Sequence, residues 1–284
     1  MGRERPATDD ARRRIHLLML APAVLLLCVF FVIPLLGMIR RSFVDGNVFA
    51  NYASIFSSDV YLHVFLLTFR ISAIVTAISL LLGYPVAYLL AHAKAGIARV
   101  VLIFVVLPYF TSVMVRTFAW IVLIGREGII NQQLAIYGLR LPFDLLYNEA
   151  GVLIGMTYIL VPFMILTLYA SMRGIDPTFT RAAYGLGASP AAAFLRVFLP
   201  LSLPGVAAGS LLVFILALGF FITPALMGGP ADITLAMLIE REVEITMNWS
   251  FAAALATTLL IVTLIAFAVY GRVARLGRLL EPLS

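Results

Sequence analysis

One arginine stands where a charge is costly. Arg116 lies midway through LPYFTSVMVRTFAWIVLIG, a run otherwise apolar enough to cross a bilayer. Ionisable groups at such positions mark pathways, relays or gates, or are neutralised by a partner group nearby. Tyr109, Thr111, Ser112 and Trp120 make the same run unusually polar, and Arg116 and Trp120, four apart, share a helix face. Two readings stay open here. One is a pathway lining or gate; the other is a structural arginine met by carbonyls, or by a carboxylate such as Glu127 or one on a partner subunit. A second gate candidate is Phe220, Phe221 and Thr223 in ALGFFITPALMGGP, where Pro224, Gly228 and Gly229 loosen the helix. Irregular backbone at membrane depth is tolerated only against protein or water, so plain packing is the competing reading. The third group is Glu240, Glu242 and Glu244, an acidic cluster that would attract a cation, seat a protein partner or simply face solvent.

Enzymatic chemistry has no comparable constellation. His16, His63 and His92 are scattered without metal-ligand spacing, so no metal is expected. There is no glycine-rich loop ending in GK[ST], so the chain itself is not expected to bind ATP. A membrane protease or lipid transferase would want paired acids or a Ser/His site within the apolar runs, and no Asp or Glu falls deep in one. Cys28, the lone cysteine, cannot form an intrachain disulfide.

The elements that must position these residues are membrane helices. Of 284 residues, 63% are hydrophobic and 12% charged, with a mean hydropathy of +1.06. A soluble domain is about half apolar and a quarter charged. Several apolar runs reach the roughly 20 residues needed to cross a bilayer core, without the short-strand alternation of a barrel. The expected fold is an all-α membrane protein with six transmembrane helices, near 15–39, 64–91, 100–124, 151–172, 201–227 and 250–271. The run Leu17–Ile39 is too long for the apolar core of a cleaved signal and ends without a small-residue site, so it reads as an uncleaved anchor. Outer loop 125–149 contains NQQLAIYGL, a candidate surface helix.

Six spans put both termini on one side. With the N-terminus inside, inner segments hold 13 Lys/Arg: Arg3, Arg5, Arg12, Arg13, Arg14, Lys94, Arg99, Arg173, Arg181, Arg196, Arg272, Arg275 and Arg278. Outer segments hold five: Arg40, Arg41, Arg126, Arg140 and Arg241. Positive charge collects on the cytoplasmic side, so both termini and the 173–200 segment are expected there. This also accounts for the net charge of +6 without invoking nucleic acid. The outer segments carry nine of the fourteen carboxylates: Asp45, Asp59, Glu127, Asp144, Glu149, Asp232, Glu240, Glu242 and Glu244.

The 181–200 segment, RAAYGLGASPAAAFLRVFLP, is too mixed to span a bilayer. Asp176-Pro177 suits a helix start. Gly187 suits a left-handed helix end, and Ser189-Pro190 restarts a helix. Small residues Ala182, Ala183, Gly185, Gly187 and Ala188 allow close approach of a partner. The skeleton Ala182-Ala183, Gly187, Val197-x-Leu199-Pro200 resembles the Glu-Ala-Ala loop of ABC importer permeases, with Arg181 where that family usually has glutamate. SVMVRTFAWIVLIGREGIIN, ILVPFMILTLYASM, LPLSLPGVAAGSLLVFILALGFFITPALMGG and NWSFAAALA are similar to the spermidine/putrescine subclass of these permeases, over about residues 60–272.

That resemblance implies a type I, binding-protein-dependent ABC importer in a bacterial inner membrane. The implied organisation is a cytoplasmic tail over 1–14, an additional first transmembrane helix over 15–39, a five-helix permease core over 60–272 with a coupling elbow at 176–200, and a cytoplasmic tail over 273–284. It implies a second permease subunit, two ATPase subunits that bind ATP and Mg, and a periplasmic substrate-binding protein. It assigns ATPase coupling to Arg181, Ala182, Ala183, Gly187, Val197, Leu199 and Pro200. The subclass and the acidic outer face point to a polyamine cargo, while relatives in the subclass carry opines, organic acids or phosphonates. An ATP-independent channel or secondary transporter would need no such elbow.

Overall fold

Three long helices make the core because each carries small or apolar side chains every three or four residues along one face. They are α3 (Asp59–His92), α7 (Glu149–Arg173) and α9 (Pro190–Leu218). Ile71 and Val75 of α3, Met156, Leu160, Met164 and Leu168 of α7, and Val213 of α9 interlock in one buried cluster. The computed structural model describes residues 19–43, 49–138 and 145–279, with side chains as far as Arg272. The terminal tails' basic residues, with Asp45, Arg140 and Asp144, lie outside the described side chains. The described residues hold helices and no strand.

The remaining elements surround this core. They are α1 (Met19–Arg41), α2 (Ala50–Ser57), α4 (Ala95–Phe110), α5 (Val113–Ile124), α6 (Ile129–Ile136), α8 (Pro177–Gly185), α10 (Ile222–Met227), α11 (Leu235–Glu244) and α12 (Trp249–Leu279). Helix α6 is the surface helix expected from NQQLAIYGL. Helix α1 is apolar along its span and buries none of its residues there, as suits a helix bathed in lipid. It is tied down only at its end. Ser42 is buried, its hydroxyl bonded to Ile39 O and to the Tyr52 hydroxyl at 2.7 Å. Asn51 Nδ2 donates to Ser42 O and to Ser250 Oγ, and the Arg41 guanidinium lies over the Trp249 ring.

Two expected spans are corrected. The third, 100–124, is not one helix: Ala95–Phe110 and Val113–Ile136 meet at a bend of 100°. Pro108 has no N–H to give. The chain tightens into a 3₁₀ turn over Leu107–Phe110 and then extends at Thr111 and Ser112. The freed Pro108 carbonyl accepts from both the N–H and the hydroxyl of Thr111.

The fifth span, expected at 201–227, begins earlier and ends sooner. Pro200 and Pro204 do not interrupt α9, and the helix stops at Leu218. A π-turn over Phe194–Phe198, closed by Leu199 N–H to Phe194 O, widens the helix just before Pro200. This turn absorbs the bond and the space that proline would otherwise disrupt. The first span uses the same device, a π-turn over Cys28–Val32 ahead of Pro34.

Helices α9 and α7 cross most closely at Gly205, where an added Cβ would sit 2.4 Å from Ser171 Cβ. Gly205-Val-Ala-Ala-Gly209 is a GxxxG pattern, the usual means of close approach in lipid. At Gly209 the obstacle would be the flexible end of Met164 at 2.8 Å. We therefore expect Gly205→Val to destabilise the bundle by about 1–3 kcal/mol or more, and Gly209→Ala to cost clearly less. Thermal unfolding of the two variants in detergent checks the order.

Candidate functional site

Two assemblies of residues stand out, one at the end of the bundle and one at mid-depth. The first is the elbow between α7 and α9. Asp176 caps α8 by accepting from Thr178 N–H at 2.8 Å. That hydrogen bonding, helped by Arg181 nearby, holds the Asp176 carboxyl below its ordinary pKa. At the other end Gly187 N–H reaches Tyr184 O and Ala188 N–H reaches Ala183 O, a Schellman pair that requires the left-handed backbone found at Gly187, φ +83°. Ser189 then caps the start of α9 through Ala192 N–H. The second arm of the elbow is therefore the same rod as the fifth span, 29 residues from Pro190 to Leu218.

The residues singled out in this segment divide between two faces. Arg181, Ala182, Gly187 and Pro200 are exposed. Ala183 is buried against the chain itself, and Val197 and Leu199 are half-buried on α9. Sequence reading passed over the most exposed apolar group, Leu186, at 90%. Phe179 and Tyr184 join it as exposed apolar groups of the elbow.

Sequence reading also missed the aromatic cluster beneath. Phe198 meets Tyr88 edge-on at 5.0 Å and His92 at 5.2 Å, and Phe194 meets Tyr88 and Tyr84 edge-on. The Tyr84 and Ser202 hydroxyls are 2.8 Å apart. The signal lay in Tyr84, Tyr88 and His92, which recur every four residues at the end of α3. The elbow arm is thus keyed to α3 as well as to α7.

The second assembly forms at the broken third span. The Tyr109 hydroxyl donates to Ile159 O at 3.4 Å and its ring packs edge-on against Phe163. Ile159 lies about 15 Å along α7 from Glu149 at 1.5 Å per residue, so this contact sits near mid-span. Arg116 is buried, with its guanidinium 5.6 Å from the Tyr109 ring centre. Its Nε and Nη1 find no hydrogen-bond acceptor among the described residues. Neither a carbonyl nor Glu127 meets these two atoms. Trp120 packs edge-on against Tyr158.

Thr223 belongs here too. It is buried, with its hydroxyl 3.2 Å from that of Thr117, a residue not singled out from sequence. Thr111 and Ser112 are exposed at the break itself, and Phe220 and Phe221 are half-buried in the turn before α10. The break thus brings Tyr109 and Trp120 onto α7 with Arg116 beside Tyr109, while the Thr117–Thr223 contact joins α5 to α10.

The acidic cluster lies on α11 rather than in a loop, beside the start of α12. Leu235 and Leu238 bury one face of this helix against Val64, Phe251 and Leu255. The hydroxyl of buried Thr68 on α3 accepts from Leu235 N–H and so caps it. Glu240 and Glu242 are half-buried and Glu244 is exposed. Thr246 Oγ1 donates to Glu242 Oε2 at 2.6 Å. At the same end Arg70 of α3 pairs with Glu149 at the start of α7.

An all-helical bundle with a capped elbow feeding directly into a span is the transmembrane fold of type I ABC importers. The chain superposes with a TM-score of 0.72 and 20% identity on a chain from the crystal structure of a bacterial alginate ABC transporter in complex with alginate pentasaccharide-bound periplasmic protein, covering 98% of this chain and 99% of that one. Residues 78–278 match the family described as binding-protein-dependent transport system inner membrane component, and the chain belongs to it. It is 36% identical over 259 residues to the spermidine/putrescine transport system permease protein PotB of Haemophilus influenzae, covering 87% of this chain and 90% of that protein. It is 31% identical over 248 residues to the molybdenum transport system permease protein ModB of Mycobacterium bovis, covering 87% and 90%. The protein is a multi-pass inner-membrane permease of an ABC importer, not an enzyme.

Proposed function

We propose that this permease carries polyamines of the spermidine/putrescine type, as one half of a pathway completed by a second permease. Two ATPase subunits bind ATP and Mg on the elbow side, and a periplasmic binding protein delivers cargo at the α11 end. Both termini then face the cytoplasm, which agrees with the excess of Lys/Arg on the elbow side.

The observation that carries the coupling is the continuity of the elbow with α9. A surface of Leu186, Tyr184, Phe179 and Ala182 meets a groove on the ATPase. Movement of that groove on ATP binding passes through the Gly187 turn to α9, an unbroken helix that reaches the membrane interior. Ala183 and the Phe194–Phe198 contacts to Tyr88 pass the same motion to α3. ATP binding favours one arrangement of the helices and hydrolysis restores the other, because the ATPase dimer binds the two differently. Arg181 reverses the charge of the family glutamate, so it pairs with a carboxylate on the ATPase rather than with a basic group.

Substrate class rests on the PotB likeness together with Glu240 and Glu244, which share a face of α11 where a cation arrives. The likeness alone also extends to a permease named for molybdenum, so the acids matter to the argument. The test is uptake of radiolabelled spermidine by the reconstituted importer with its own binding protein. Glu240→Gln/Glu244→Gln is expected to raise the spermidine KM about threefold to tenfold, mainly through encounter rate, with kcat nearly unchanged. Uptake of an opine, organic acid or phosphonate in place of spermidine would sink the polyamine reading and leave the importer class standing. The specific observation favouring such an anion is Arg116, a cation at mid-depth with no carboxylate paired to it among the described residues.

A further inference from the structure

A cavity of about 600 Å³ opens between α4 and the end of α7, on the elbow side of the bundle. Its walls are apolar, formed by Leu90, Ala98, Leu102, Ile103, Leu107 and Phe110, and its polar groups are Arg99, Arg173 and Tyr169. Phe110 is 84% exposed, and Ile103 and Leu107 are more than half exposed, so the groove opens sideways as well as at its end. Arg173 is the last residue of α7, and Arg99 lies about one turn inside the start of α4. Both guanidinium groups therefore stand where the hydrocarbon of a bilayer gives way to headgroups. Neither forms a hydrogen bond or ion pair among the described residues.

We propose that this groove holds an anionic phospholipid of the leaflet on the elbow side, with its phosphodiester between Arg99 and Arg173 and its acyl chains along the apolar wall. Two guanidinium groups offer paired donors that match a phosphate better than any neutral group. Basic pockets between membrane helices at headgroup depth recognise lipids by this combination of charge and apolar wall. A soluble phosphate would satisfy the arginines and leave the wall empty. A neutral lipid would cover the wall and leave both arginines without an anion. Only an anion that carries its own hydrocarbon answers both features. Arg173 stands three residues before Asp176, the cap of the elbow, so the bound lipid lies beside the coupling segment.

The test uses the assembled importer, purified in mild detergent and titrated with phosphatidylglycerol or phosphatidylcholine under native mass spectrometry. The wild type is expected to retain phosphatidylglycerol about tenfold more tightly than phosphatidylcholine, a difference of about 1.4 kcal/mol. Arg99→Gln/Arg173→Gln should lose that preference, and Arg99→Lys/Arg173→Lys should keep part of it. Both positions are exposed, so assembly with the partner subunits is expected to survive and is scored in the same spectra. Ile103→Trp narrows the groove without touching charge and should weaken both lipids. Equal retention of the two lipids by the wild type would overturn the proposal, as would a preference unchanged in the glutamine variant. Displacement of phosphatidylglycerol by inorganic phosphate at matched concentration would assign the arginines to a soluble anion instead. An assembled importer that retains no lipid there would mean that a partner helix fills the groove, and would likewise overturn it.

Discussion

Gly187→Asp is expected to leave the permease folded and largely assembled while cargo uptake falls about tenfold or more and the ATPase continues to hydrolyse ATP. The local cost is bounded. An added Cβ at Gly187 meets no atom within 4 Å, so the fold bears only the strain of a left-handed residue with a side chain, about 1–2 kcal/mol. A much larger loss of uptake must arise at a surface this chain does not cover by itself. The new carboxylate would enter an apolar contact and stand without a partner there, which costs more than the strain. Leu186→Ala provides an independent reading of the same surface. Leu186 is 90% exposed and supports nothing within the chain, yet truncating a central apolar anchor of an interface commonly costs 2 kcal/mol or more, about thirtyfold in affinity. Uptake and ATP hydrolysis measured together in proteoliposomes separate the outcomes. Normal uptake at normal expression in both variants would remove the elbow from the coupling mechanism.

The elbow was legible in the sequence because its geometry is local. Asp-Pro, Gly187 and Ser-Pro each fix one cap within four residues, and each cap forms as expected. The first, second, fourth and sixth spans were legible for a related reason: length and hydropathy alone decide whether a helix crosses a membrane. Two things were not. The break at Thr111–Ser112 depends on Pro108 and on what α7 offers across from it, and hydropathy averages through a bend that changes no composition. The merger of the elbow arm with the fifth span depends on the π-turn at Phe194–Phe198, which lets Pro200 sit inside a helix where the usual rule ends one. The Thr117–Thr223 contact, 106 positions apart in sequence, has no local signal at all. The Gly205–Gly209 spacing did carry a readable signal, as did the Tyr84, Tyr88 and His92 series.

Arg116→Met is expected to raise the stability of the permease and abolish most of its transport. The side chains are similar in reach, so the packing against Tyr109 is roughly kept. What changes is a buried guanidinium whose Nε and Nη1 have no acceptor among the described residues. Leaving a buried polar group unsatisfied costs about 1–3 kcal/mol, and more for a charge, so its removal should raise the thermal midpoint of the chain expressed without its partners. A residue that served the fold would do the opposite. The unpaired charge then has to be used elsewhere: by a carboxylate of the second permease in one of the two transport states, or by the cargo. Either role makes the charge part of the difference between states, and uptake should drop at least about tenfold. Arg116→Lys distinguishes the two uses. A lysine keeps the charge but not the fork of donors, so it should retain more uptake where a partner carboxylate sets the balance between states. It should retain less where a planar anion is read directly, with the loss appearing in KM rather than kcat. A lower thermal midpoint in Arg116→Met, with uptake reduced only in proportion to surviving protein, would return Arg116 to a purely structural role and leave the broken third span as packing alone.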